Sequence, residues 1–145
     1  ELSVGSAMVK GTDFDTPLLD DLQPAVFIAT PVLKAAAKFQ MPKGVEPLGD
    51  AVRLWDRNQQ QAYFIYGGNW LAEPVSPSGL ASSGLYGTSS NQQVLVGSGL
   101  QNLAVDGWVF FRPRQSEAVL QQFGDIAVLE HGKISTFWQP MAATA

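Results

Sequence analysis

The chain has no cysteine, one histidine and few charges: only 15% of its 145 residues are Asp, Glu, Lys or Arg, where an ordinary soluble domain has roughly 25%. Absent cysteine excludes disulfides, thiolate metal sites and cysteine nucleophiles, although it fixes no compartment. With a single histidine as well, the usual ligand sets for zinc are missing. No apolar run approaches the roughly 18 residues of a membrane span. The nine Lys and Arg are scattered, against thirteen Asp and Glu, which argues against a nucleic-acid footprint. No secretory leader is visible and the first residue is Glu1 rather than Met. A processed or shortened chain is therefore expected.

Catalytic motifs are also missing. Ser98, in Val96-Gly97-Ser98-Gly99-Leu100, lacks both outer glycines of a nucleophile elbow. Gly97-Ser98-Gly99 has no third glycine, and no Gly-Lys-Ser/Thr occurs, so a phosphate-cradling loop is unsupported. His131 precedes Gly132, where a hairpin turn favours residues that tolerate positive φ, and it reads as a turn residue rather than a base. Asp13, Asp15, Asp20 and Asp21 supply the hard oxygens calcium prefers, but Pro17 interrupts them and no loop glycine follows. They read as turn and capping residues. Asp50 and Asp56 could flank a glycosidic bond only at a separation the sequence does not give. No cofactor and no enzymatic activity are expected.

What is present is an unusually uncharged middle. Between Arg57 and Asp106 the one charged residue is Glu73, amid Gly, Ser, Asn, Gln, aromatics and aliphatics. Such a surface loses little on desolvation and suits contact with another copy, another protein or a sugar.

The local patterns predict an α+β, β-rich fold: a mainly antiparallel sheet built from hairpins, with one or two short helices. Leu103 to Phe110 holds Asp106-Gly107, the signature of a two-residue type I′ turn, which would pair Val105 with Trp108 and Leu103 with Phe110. Ile126 to Trp138 predicts a second hairpin about His131-Gly132, with Glu130 facing Lys133 and Leu129 facing Ile134. Ala51 to Trp55 and Ala62 to Tyr66 predict a third pair, with bulky groups on both faces. Ala25 to Ala29 and Val94 to Gly97 read as short strands.

Thr30-Pro31 looks like a helix N-cap followed by proline at the first helical position, predicting a helix over Val32 to Gln40 that Pro42 stops. A shorter helix is expected over Glu117 to Phe123, capped by Ser116 and closed by Gly124. One domain over 1–138 is expected, with a long Gly/Ser/Pro-rich loop or arm at 73–91 and a frayed tail at 139–145.

The aromatic and apolar punctuation yields the candidate interaction set: Leu80, Leu85 and Tyr86 in the arm, with Trp55, Tyr66 and Trp70. Together these features predict a non-enzymatic structural or assembly protein. It would work through homo-oligomeric or partner-protein contacts, as in a surface appendage or virion, outside the cell. A carbohydrate-binding β module is the alternative, with Trp70 or Trp55 stacking on a sugar beside Asn69 and Asp56.

Overall fold

The computed structural model describes residues 5–36, 60–84, 89 and 91–140. Eight strands lie within them: β1 (Ile28–Ala36), β2 (Gln61–Tyr66), β3 (Ala72–Ser76), β4 (Ala81–Ser82), β5 (Gln92–Gly97), β6 (Trp108–Pro113), β7 (Ile126–Glu130) and β8 (Lys133–Trp138). One short helix, α1 (Ser116–Leu120), and three 3₁₀ turns between Ser6 and Leu19 complete the described elements. The fold is thus β-rich and antiparallel with very little helix. Six strands form one sheet in the order β3-β6-β1-β2-β5-β4, and β7 and β8 form a separate pair.

The main sheet is held by pairings between distant segments. β1 and β2 are neighbours across a long connection, while β6 inserts between β3 and β1. One face carries the core: Ile28 and Val32 of β1, Tyr63 and Ile65 of β2, Leu95 of β5, Val109 and Phe111 of β6, closed by Leu80 and by Val119 of α1. These positions alternate along their strands, as a pleated backbone requires of one face. Beneath the phenol of Tyr63, its hydroxyl reaches Gln61 and the carbonyl of Gln101, and burial raises its pKa.

The segment read as a helix from Val32 is instead the sheet's inner strand β1. Its burial alternates, with Ile28, Thr30 and Val32 inward and Ala29 outward. A buried Ile-x-Thr-x-Val row packs better on a pleat than around a helix, where β-branched side chains lose rotamer freedom. Pro31 is tolerated because of what Thr30 does. Val32 spends its backbone groups on the β6 side, receiving from Asp106 N–H and donating to the Gly107 carbonyl. The missing N–H of Pro31 therefore falls on the β2 side, opposite Tyr66 in the register that pairs Val32 with Ile65. The Tyr66 carbonyl accepts from the Thr30 hydroxyl instead. Thr30→Val keeps the shape and removes that donor, so a loss of about 1–2 kcal/mol in urea unfolding is expected. An unchanged midpoint would refute this role.

The Asp106-Gly107 hairpin does not form. Gly107 N–H donates to the Ala104 carbonyl, Asp106 takes a positive φ of 66°, and Gly107 does not. The turn is thus centred one residue earlier, and a type I′ turn needs positive φ at both central residues. Trp108–Pro113 then pairs with β1 and β3 rather than with the Leu103 segment. Both edges of β2 are taken by β1 and β5. Its expected partner, Ala51 to Trp55, lies outside the described residues, as do Asp50, Asp56 and residues 141–145.

Two smaller expectations are also revised. The cap of α1 is Gln115, not Ser116; Ser116 is the first helical residue, and its amide and hydroxyl both donate to the Ser6 hydroxyl. The 73–91 stretch contributes two strands to the sheet, β3, which begins at Ala72, and β4. The pair β7–β8, by contrast, has the register expected for it: Glu130 opposite Lys133 and Leu129 opposite Ile134. His131 and Gly132 both carry the positive φ that a type I′ turn demands.

Candidate interaction surface

The second face of the main sheet is also apolar. On β2, Ala62, Phe64 and Tyr66 alternate with the core residues Tyr63 and Ile65, and Ala62 packs with Val94 and Val96 of β5, flanked by Ala36 and Phe64. The ammonium of Lys34 stands 5.7 Å from the centre of the Phe64 ring, a cation–π contact that screens part of this face. Toward β6 the face opens to solvent: Trp108 is 56% exposed, and Phe110 is only partly covered. They lie beside Pro31 and Ala29 of β1, their direct cross-strand partners. Tyr66 is 63% exposed at the end of β2.

Of the residues singled out from sequence, Tyr66 is therefore displayed. Leu80 is not: at 7% exposure it belongs to the core. Trp70 packs against the core, edge-on to Phe111 at 5.4 Å between ring centres and tilted against Phe123 at 5.7 Å. Trp55, Leu85 and Tyr86 lie outside the described residues. The face gains Trp108 and Phe110, for which the local pattern predicts only a place in the strand of a hairpin. The signal for them was the run Trp108-Val109-Phe110-Phe111 itself, since large side chains at both phases of a strand leave one set facing away from the core.

The β7–β8 pair forms a second apolar surface. All of β8 is exposed, and Leu129, Ile134, Phe137 and Trp138 are open to solvent. An apolar tip on both sides of a turn is legible in Leu129-Glu130-His131-Gly132-Lys133-Ile134. That the hairpin stands apart from the main sheet is not.

Two of the acidic residues considered for calcium, Asp15 and Asp13, are paired with arginines of β6 and the segment after it. The Arg112 guanidinium holds both carboxylate oxygens of Asp15, at 2.9 and 2.7 Å, and also donates to the carbonyls of Lys10 and Gly11. Arg114 holds Asp13 at 2.9 Å. Lys10 is buried and donates to the Leu22 carbonyl at 2.9 Å. Residues 5–22 are thereby strapped onto β6 and the start of α1. The hydrogen bond from Arg112 holds the Asp15 carboxyl below its ordinary pKa, against a smaller opposing effect of desolvation. The Ser6 hydroxyl does the same for Glu117.

Both carboxyls have folded values below their unfolded ones, so their contribution is present above the unfolded pKa of about 4 and fades as pH falls through the folded values. The strap is expected to loosen in acid, below about pH 4. Faster amide exchange in residues 5–22 than in β2 and β5 as pH is lowered, after correction for intrinsic rates, would register it. Uniform protection at all pH values would exclude it.

Among the described residues, no helix is long and apolar enough to cross a membrane. Comparison of the chain with protein-family models, with curated proteins and with solved structures finds no match.

Proposed function

We propose that this is a non-enzymatic structural or assembly protein, acting through contacts with copies of itself or with a partner protein, as a component of a surface appendage or a virion. The observation that carries the reading is the open outer face of the main sheet, where Tyr66, Trp108 and Phe110 are displayed around β1 and β2. Solvated aromatic rings grouped on one face of a sheet, with the charges of Lys34 and Arg112 at its margins, are the composition of an interface core. Tyr and Trp also supply large contact area with few rotors to immobilise.

Light scattering on the eluting peak of a sizing column tests this, over a concentration series at low and high salt. A discrete oligomer that persists in high salt is expected, because apolar burial is not weakened by screening. Trp108→Asp should shift it toward monomer. A monomer at every concentration, in the absence of a partner, with tryptophan fluorescence that responds to added sugars, would overturn self-assembly in favour of glycan binding.

A further inference from the structure

We infer that the β7–β8 hairpin is a self-association device: two copies pack its apolar face against each other about a two-fold axis. This rests on the assembly reading above and names one contact within it. The hairpin's faces follow from its register. Ala127 and Leu129 share a face by strand alternation, and their cross-strand partners are Phe137 and Ile134. On a regular strand, residues 134 and 137 would lie on opposite faces. Here the register shifts between Val128 and Leu129, so that Ser135 is an extra residue and Ile134 and Phe137 come to the same side. The bulge thus gathers Leu129, Ile134 and Phe137 into one patch, exposed at 70%, 59% and 59%.

A two-stranded hairpin left alone in water is marginal at best and needs its apolar face covered. Three features favour a second copy as the cover. First, the patch is free of charge. Glu130 and Lys133 face each other at the tip and alternate away from Leu129 and Ile134, so two identical patches meet without like-charge repulsion. An isologous contact needs only such self-complementarity, and two-fold dimers are the commonest closed assembly.

Second, the same bulge disfavours edge-to-edge pairing. An irregular strand edge is a poor template for another strand, and the Ser135 hydroxyl is turned inward to the Val128 carbonyl at 3.3 Å. Association through β8 is thereby left to its face rather than its edge. Third, the size fits a modest contact. The three side chains leave on the order of 400 Å² open per copy, about half the ~800 Å² per partner of a standard interface. A concentration-dependent dimer results, distinct from any contact through the outer face of the sheet.

The test is sedimentation velocity over a concentration series on the full chain and on Phe137→Asp, Ile134→Asp and Trp108→Asp. The two hairpin variants should each raise the dimer dissociation constant at least tenfold, with unchanged far-ultraviolet circular dichroism. Since the chain has no cysteine, Leu129→Cys provides a second readout that does not depend on weakening the hairpin. Mild oxidation should link it into dimers, while Glu130→Cys, on the opposite face, should stay unlinked.

If the dimer is lost in Trp108→Asp and kept in both hairpin variants, this proposal is refuted while the assembly reading stands. A monomer at every concentration refutes both. Binding of the wild-type chain to phosphatidylcholine vesicles, abolished by Phe137→Asp and without any dimer, would make the patch a membrane-contacting tip and also refute self-association.

Discussion

Replacing Gly67 by alanine is expected to destabilise the protein by about 2–5 kcal/mol, a large share of a stability that for most domains lies at about 5–15 kcal/mol. Two costs coincide at this position. Gly67 has φ of +80°, where a Cβ costs about 1–2 kcal/mol for any L-residue. A Cβ built there would also lie 2.3 Å from Cζ2 and 2.9 Å from Cη2 of Trp70. That indole cannot easily retreat, because its other side meets Phe111 and Phe123. A forced shift in a packed core costs about 1–3 kcal/mol more.

The two costs separate in a double-mutant cycle. In a Trp70→Ala background the clash is absent, and Gly67→Ala should cost only the conformational part. Equal costs in both backgrounds, read from urea unfolding, would show that Trp70 does not press on this turn.

Arg112→Ala is expected to cost about 3 kcal/mol and to free residues 5–22 from β6. The Arg112 side chain is 12% exposed. It satisfies two backbone carbonyls as well as a carboxylate, so its loss strands acceptors as well as removing an ion pair. Arg112→Lys should recover little, because a point charge with rotating donors cannot serve Lys10 O, Gly11 O and both oxygens of Asp15 together. Asp15→Asn should do less harm, since Asp15 is 52% exposed and water replaces part of what it gives. Trypsin supplies a local readout. Lys10 is 7% exposed, and cleavage after it should accelerate strongly in Arg112→Ala before the core unfolds. A lysine variant indistinguishable from wild type in stability and cleavage would refute the fork geometry.

The sequence conveyed the β-rich class and the β7–β8 pair because both depend on neighbours in the chain. His131-Gly132 fixes a turn, and Glu130, Lys133, Leu129 and Ile134 agree with it. It also conveyed that β2 has bulky groups on both faces. It misled wherever a distant strand decides the outcome. Thr30-Pro31 has the local chemistry of a helix start, yet with β6 on one side and β2 on the other the same two residues serve a ladder. Asp106-Gly107 looks like a hairpin until β1 claims the backbone of both through Val32.

The candidate surface was legible in composition and less so in position. Tyr66 stands outward as its strand phase predicts, whereas Leu80 and Trp70 look like loop residues in sequence and are drawn inward by a core they meet only in three dimensions.

The place of β6 also bears on how the chain comes off the ribosome. β6 sits between β1 and β3, although β4 and β5 separate it from β3 in the sequence and β2 to β5 separate it from β1. A nascent chain that ends before Trp108 therefore holds β1 and β3 with no strand to join them, and each offers an unpaired edge beside exposed apolar residues. Such edges invite pairing between chains on the same message. Closure of the sheet must wait for residues 108–113 and then compete with that encounter, so the yield of folded protein should depend on how quickly translation passes this segment.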